Sequence, residues 1–471
     1  LPDGEFRKTR YIRSVRDLVR KHLRFFVLFS AAALLLRLIF LLRFPGVVTD
    51  SFIYGDIAKN WLQHGIYGLS GGGEISPTYI RLPGYPAFLA FIFATFGVDH
   101  YRAVLLVQMF VDLGTCFLCA AIALRLLGLR CAKLSFALAA LCPFLADYSA
   151  AALTETLEVF FTALTLHLAL RAFARARLRD LAACGAACAA AILLRPDGVL
   201  LLLALEAYLL FRIVFQRQST PDVNARSLLR AGVLIAAIAL LPLAPWAARN
   251  WHVFHRFQPL APRYANEEDE FVPMGFNHWT KTWIADYASV EEIYWAVPGG
   301  ELDASKLPSR AFDTPQQQEE TTQLIGDYNP ILHISPQLDR RFESIAAERI
   351  RAHPARYFLW LPALRIADMW LRPRTELLPS DSRWWEFDDD PRWSVGAVAF
   401  GAINLLYVLA AIVGWMRSRK VEMWGMLILF VILRSAFLGS LENPEPRYTL
   451  EMYPIVIVLA AGVARRKRKN A

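Results

Sequence analysis

The sequence predicts a polytopic all-α membrane protein: a bundle of about ten transmembrane helices plus interfacial helices, with a long loop region on the outer face. Three observations carry that prediction. Of the 471 residues, 56% are hydrophobic and 20% charged, with a mean hydropathy of +0.33, whereas soluble domains are about 45–50% apolar even with Gly counted. The apolar residues are gathered into blocks of about 15–25, which several soluble cores would scatter. Short basic loops separate the blocks: residues 1–24, 125–133, 171–180, 212–230, 417–422 and 465–469 hold 27 of the 51 Lys+Arg and 6 of the 42 Asp+Glu. This pattern excludes a soluble enzyme, a disordered chain and an outer-membrane barrel.

A membrane span needs about 20 mostly apolar residues. The ten spans expected are roughly 23–44, 101–125, 132–149, 154–174, 180–195, 197–214, 228–248, 395–416, 421–439 and 447–464. The first run is long and no small-residue cleavage site follows it, so no cleavable signal is expected. Two weaker apolar segments remain. Residues 84–97 are short even for a tilted span, and 355–371 carry Arg365 and Asp368 among Trp and Tyr, which suits the membrane interface.

Clusters of Lys and Arg beside spans mark the cytoplasmic side. With both weak segments kept at the interface, ten crossings put every basic loop and both termini inside. Residues 45–100 and 249–394 then lie outside, in the cell (inner or plasma) membrane. The net charge of +9 is thereby a topology signal, and no nucleic-acid partner is expected. Three parts follow: 1–248, a transmembrane module with the first outer loop; 249–394, an outer loop region with an interfacial helix; and 395–471, the last spans and a basic tail. The first hundred residues of the middle part could form a small folded unit, although no strong period is evident there. No internal repeat is found.

The six cysteines, Cys116, Cys119, Cys131, Cys142, Cys184 and Cys188, all lie in or at the ends of apolar segments. Cys116-Phe-Leu-Cys119 has redox or metal spacing but no second ligand pair, and reads as helix packing. No metal site is expected and no cofactor is firmly implied; a divalent metal is left open.

Polar residues gather where the spans meet the outer side. Asp50 follows the first span directly, in Thr-Asp50-Ser-Phe-Ile-Tyr54-Gly-Asp56. A carboxylate at that boundary suits general-base work when partly desolvated. Alternatively, Asp50 or Ser51 simply caps a helix over 51–64. Asp56, six residues on, faces elsewhere and reads as solvated. Arg81, in Arg-Leu-Pro-Gly-Tyr85-Pro, can meet a lipid phosphate or snorkel as an interfacial anchor. Thr154-Glu155-Thr-Leu-Glu158 brings two carboxylates into an apolar helix, where acids are expensive and usually functional or paired; helix capping is the other reading. Arg195, Arg249 and Arg447 are three more outward arginines. Acids and guanidiniums on one face are what a reaction with a phosphate leaving group would use.

The succession Asp50…Tyr54, Arg81-Leu-Pro-Gly-Tyr85-Pro, Thr154-Glu155, Leu-Leu-Arg195-Pro, Pro-Trp246-x-x-Arg249-Asn250 and Arg447-Tyr448…Pro454 resembles the GT-C membrane glycosyltransferases. The nearest group is glycosyltransferase family 39 with its bacterial relatives, the protein mannosyltransferases and aminoarabinose transferases. The resemblance runs over about 1–250 and 440–460. It implies a GT-C-type bundle and an inverting transferase that moves one sugar from a polyprenyl-phosphate carrier to a lipid, glycan or protein acceptor. It further implies Asp50 as the catalytic carboxylate, with Glu155 helping to shape the site. Arg81, assisted by Arg195, Arg249 and Arg447, would bind the donor phosphate; the accompanying tyrosines, Tyr54, Tyr85 and Tyr448, would shape the substrate site. Here Asp50 stands without an adjacent second acid, and Leu-Pro-Gly-Tyr-Pro replaces the family's Lys-Pro-Pro run. The competing class is a transporter or lipid-linked sugar flippase, whose charges would line the bilayer midplane. Here Arg37, His167 and Glu206 are the main charges or polar groups inside the apolar runs.

Overall fold

The computed structural model describes residues 15–175, 177–216, 225–267, 269–387, 390–419, 421 and 423–465. The basic segments 1–14, 217–224 and 466–469 lie outside the described residues. The chain divides into two compact units: Leu1–Pro262 with Leu406–Phe430 and Glu451–Ala471, and Arg263–Leu405 with Val431–Leu450.

The first unit opens with a short helix, Val15–Lys21 (α1), and the first span, Leu23–Arg43 (α2). This span is apolar all round, as a helix between lipid and protein must be. Leu28, Leu35 and Leu42 form an exposed stripe while Phe26, Ala33 and Phe40 are buried. A loop helix, Thr49–His64 (α3), ends at Gly65, whose φ of +69° closes it in the left-handed conformation. A two-stranded antiparallel hairpin follows, Gly68–Gly71 (β1) with Glu74–Pro77 (β2), and then the short apolar helix Gly84–Phe96 (α4).

The bundle continues through Tyr101–Leu127 (α5), Leu129–Ala140 (α6), Pro143–Ser149 (α7), Glu155–Arg175 (α8) and Leu178–Leu194 (α9). Val199–Phe211 (α10), Ala225–Leu240 (α11) and Leu243–Phe254 (α12) complete its N-terminal part. Helices α5 and α6, α8 and α9, and α9 and α11 pack against one another.

Inside this bundle Arg37 and Asp112 form a buried ion pair between α2 and α5, Nε to Oδ2 2.6 Å. Arg37 also donates to the carbonyls of Ala140 and Ala139. Asp112, and Arg434 within Trp424–Gly439, add to the groups expected inside the apolar runs, Arg37, His167 and Glu206. An acid near the middle of an apolar run was the available signal, because a buried charge demands a partner.

The second unit holds Met274–Lys281 (α13), the single turn Tyr287–Ser289 (α14), Pro315–Tyr328 (α15), Pro336–Ala352 (α16) and Leu361–Leu371 (α17). Its core joins Phe276, Trp279, Trp283, Tyr328, Phe342 and Ile345. A helical period is in fact present there: α16 buries Leu338, Phe342, Ile345, Ala346 and Arg349, spaced by four, three, one and three residues. Thr314 and Ser335 cap α15 and α16, each followed by Pro at the first helical position. That Thr/Ser-Pro signature is a helix start legible in sequence.

Pro391–Ser418 (α18) and Trp424–Gly439 (α19) contribute residues to both units. Tyr453–Ala461 (α20) packs on α5 and α6 in the first. Among the described residues, seven helical segments are long and apolar enough to span a membrane. The bent pair α6 and α7, broken by 50°, makes an eighth. The two other expected crossings correspond to α9 and α19, of 17 and 16 residues. The chain is a multi-pass membrane protein.

Candidate active site

The α2–α5 loop is folded onto the bundle by close backbone approaches that only small residues permit. Gly46 and Ala151 form a parallel bridge, with Gly46 N–H donating to Ala150 O and Ala152 N–H to Gly46 O, both 2.8 Å. A Cβ on Gly46 would lie 2.9 Å from that of Ala151. This bridge ties the chain just before Asp50 to the chain just before Glu155. At the start of α4, a Cβ on Gly84 would lie 2.5 Å from the carbonyl oxygen of Leu193. The Arg81-Leu-Pro-Gly turn is thereby seated beside Leu193 and Leu194, next to Arg195.

Asp50 stands in the first turn of α3. The capping question is answered by its neighbour, since Ser51 Oγ accepts from Val48 N–H at 3.1 Å. Asp50 Oδ1 instead accepts from Arg81 Nη2 at 3.1 Å, and the two side chains are 35% and 18% exposed. Both are thus reachable by a ligand. The Arg81 guanidinium also lies over the Tyr54 ring, 5.5 Å from its centroid. Tyr54 packs edge-to-face on Tyr85 at 5.1 Å, and Tyr85 donates to Gln108 Oε1 at 2.9 Å. Burial pushes the Tyr54 phenol up to about 12, with Arg81 and Arg195 pulling it down and Asp50 and Glu158 raising it.

The second grouping surrounds Arg195, which ends α9. Its guanidinium stands 3.9 Å from Glu155 Oε1, 3.6 Å from Glu158 Oε1 and 3.5 Å from Asp197 Oδ1. Glu155 and Glu158, three residues apart on one face of α8, are both buried. The sequence reading singled out Glu155 for the site and left Glu158 aside. Their spacing was the signal that could have kept both.

Two expected residues take on structural contacts. Asp56 keeps part of its side chain exposed, as expected, but also accepts from the Ser70 N–H at 2.6 Å and the Ser70 hydroxyl at 2.9 Å, fastening the hairpin to α3. Burial alone would raise its carboxyl, but the Ser70 hydrogen bonds and Lys59 hold it below the usual range. Arg249, expected to help bind phosphate, is committed to the loop. It donates to Thr78 O at 2.7 Å and Tyr67 O at 2.8 Å, and lies over the rings of Tyr67, Trp246 and Phe254. Tyr67 in turn donates to Arg81 O at 3.0 Å. Arg249 thus supports Arg81 by bracing the loop that carries it.

Arg447 and Tyr448 belong to the second unit. Glu445 pairs with both, through Arg447 Nε and the Tyr448 hydroxyl, each at 2.5 Å. Among the described residues no group of three or more His, Cys, Asp or Glu is arranged to hold a metal ion.

The geometry can be set beside known proteins. A family model described as dolichyl-phosphate-mannose-protein mannosyltransferase matches residues 78–246, just over a third of the chain. The oligosaccharyltransferase AglB of Archaeoglobus fulgidus, solved with an inhibitory peptide and a dolichol-phosphate, is similar over 94% of this chain and 50% of its own. It matches at 13% identity with a TM-score of 0.50. The same archaeal enzyme solved with Zn and sulfate gives 14% identity, 93% and 48% coverage and a TM-score of 0.49. ArnT of Cupriavidus metallidurans bound to undecaprenyl phosphate gives 16% identity, 93% and 77% coverage and a TM-score of 0.42. The chain spans about half the length of the archaeal oligosaccharyltransferase it matches. No curated protein matches it. Residues 78–246 thus match the mannosyltransferase model, and the fold is that of a helical membrane protein similar to AglB.

Proposed function

We propose that the chain is an inverting membrane glycosyltransferase that moves one monosaccharide from a polyprenyl-monophosphate carrier to an acceptor hydroxyl or amine on the outer face of the cell membrane. The observation that carries this reading is the Asp50–Arg81 pair: a carboxylate and a guanidinium, both partly exposed, held face to face at one end of the bundle. The family match over 78–246, which contains Arg81, Glu155 and Arg195, supports it.

In the ligand-free arrangement Arg81 neutralises Asp50. A lipid phosphate is a doubly accepting anion that competes for the same guanidinium. As Arg81 turns to the phosphate, Asp50 is released to take a proton from the acceptor. The acceptor oxygen or nitrogen then bonds to the anomeric carbon from the side opposite the phosphate. The bond from that carbon to the phosphate oxygen breaks with its electron pair leaving on phosphate, through an oxocarbenium-like state, and configuration inverts. Arg81, with help from Arg195, stabilises the charge that builds on the departing phosphate. Glu155 shapes the pocket by holding Arg195, and Tyr54 and Tyr85 wall it.

The donor follows from location. Nucleotide sugars are cytoplasmic, so a site on the outer face must receive its sugar on a lipid. A monophosphate presents a charge that Arg81 and one neighbour can neutralise, and transfer is expected to survive chelation.

Asp50→Asn tests the reading. General-base catalysis contributes about 10²–10⁴-fold, so transfer should fall by at least the lower figure while the purified protein stays monodisperse. Near-normal transfer by that variant returns Asp50 to a structural role. Transfer from a nucleotide sugar, or loss of activity in EDTA restored by Mn²⁺ or Mg²⁺, overturns the donor chemistry. Transport of a lipid-linked sugar without transfer would favour a flippase.

A further inference from the structure

Glu158 is anomalous in a way that the reaction just described does not use. Its side chain is 3% exposed, and both carboxylate oxygens are buried without a hydrogen bond. The nearest cation, Arg195 Nε, stands at 3.6 Å, within ion-pair range but beyond hydrogen-bond length. Buried polar atoms in folded proteins are almost always hydrogen-bonded, and each exception calls for an explanation. A buried carboxylate with two vacant acceptor oxygens is costly unless donors arrive from elsewhere.

The charges around it narrow what can arrive. Glu155, Glu158 and Asp197 stand 3.9, 3.6 and 3.5 Å from the Arg195 guanidinium. Beside Glu158 carboxylates crowd together, and a phosphate would be repelled there. The Arg81-Leu-Pro-Gly turn is seated against Leu193 and Leu194, next to the Arg195 that faces Glu158, so Glu158 stands beside the elements that carry the Asp50–Arg81 pair. A group that enters beside Glu158 must bring hydrogen-bond donors and no negative charge. On a glycosylated lipid phosphate only the sugar ring fits that description.

We propose that Glu158 is a sugar-binding residue, accepting two hydrogen bonds from adjacent donor groups on the ring of the transferred sugar, and that it determines which sugar the site accepts. The proposal rests on the transferase reading. It divides the site by charge: phosphate at Arg81, and ring donors at Glu158 beside Arg195.

The sign of one substitution tests it. Glu158→Gln is nearly isosteric, removes one negative charge and halves the acceptor capacity. Binding is measured on the full chain in detergent with two probes, sugar-free undecaprenyl phosphate and undecaprenyl-phosphate hexoses. The variant is expected to bind the sugar-free lipid at least as tightly as wild type, because a nearby negative charge is gone. It should bind the preferred glycosylated lipid at least tenfold more weakly. Equal weakening of both probes would show that Glu158 only positions Arg195, and overturns the proposal; so does unchanged binding of both.

A second measurement needs no variant. Among monodeoxy analogues of the preferred hexose, removal of one of two adjacent hydroxyls should weaken binding to the wild-type protein about tenfold, and a flat response across the ring overturns the proposal. Failure of the wild-type protein to bind sugar-free undecaprenyl phosphate at all would instead sink the transferase reading beneath it. The two failures are therefore told apart.

Discussion

At the scale of single residues, four arginines beside the spans looked alike in sequence while a fifth, Arg37, stood inside one, and the fold gives them different work. Arg81 reaches a partly exposed carboxylate, Arg195 sits among three acids, and Arg249 is locked onto two carbonyls and three aromatic faces. Arg447 pairs with Glu445 in the second unit, and Arg37 with Asp112 inside the bundle. Substitution should separate these roles. Arg249→Ala removes the charged donor to the buried Thr78 carbonyl, and a buried acceptor stripped of its donor costs about 1–3 kcal/mol. It is expected to lower the thermal midpoint in detergent. Arg81→Ala should leave that midpoint nearly unchanged, because its ion pair is partly exposed and such pairs contribute little to stability. Its effect belongs to the donor: a guanidinium–phosphate contact is worth about 1.5–3 kcal/mol, so polyprenyl phosphate should bind tenfold or more weakly, with acceptor affinity far less changed. Equal thermal losses for the two variants would contradict this division. The acids and arginines of the site were legible from their places beside the spans. Which arginine stays available was not, since that depends on carbonyls presented by a folded loop and leaves no mark on local sequence.

At the scale of elements, the spans were readable because a bilayer dictates their length and composition. The helices of the second unit were harder, since their apolar residues are diluted by charge. Their core nevertheless follows helical spacing, and its polar fastening is as informative as its packing. Asp313 precedes α15 and accepts a bidentate pair from Arg356, 2.6 Å on each oxygen, while the fully buried Arg349 stands 3.3 Å away. Burial pulls the Asp313 carboxyl up, but the Arg356 hydrogen bonds and the two guanidinium charges outweigh it and hold it below its ordinary value. The consequence for stability has a definite sign. A carboxylate held low in the folded state contributes stability that is fully present above the unfolded value of about 3.9 and is lost as pH falls through the lower folded value. Protection of the amides in peptides covering 310–356 of the full chain, measured relative to their intrinsic exchange at each pH, should therefore fall below about pH 4. In Asp313→Asn that protection should already be low at neutral pH and change much less with acid. Identical acid responses in the two proteins would show that this fastening does not hold α15 to α16.

At the scale of the whole molecule, parity does what no single helix can. Seven long spans and one bent pair make eight crossings, and α9 and α19, of 17 and 16 residues, bring the number to ten. Without a crossing at α9 the basic segments 171–180 and 212–230 would fall on opposite sides of the membrane, against the positive-inside rule. Under the positive-inside rule, ten crossings are expected to put α3, the β1–β2 hairpin and the Asp50–Arg81 pair outside. The chain itself favours a labelling test, because all six native cysteines are buried and the background should be low. Gly71, at the hairpin end, has open space where a Cβ would go, so Gly71→Cys should fold unaltered. A membrane-impermeant maleimide added to intact cells is expected to label Gly71→Cys quickly. Arg175→Cys, at the end of α8, should react only after the membrane is opened. Labelling of Arg175→Cys in intact cells, with Gly71→Cys protected, would invert the protein in the membrane. The site would then face cytoplasmic nucleotide sugars, and the argument for a lipid-carried donor would fall with the topology.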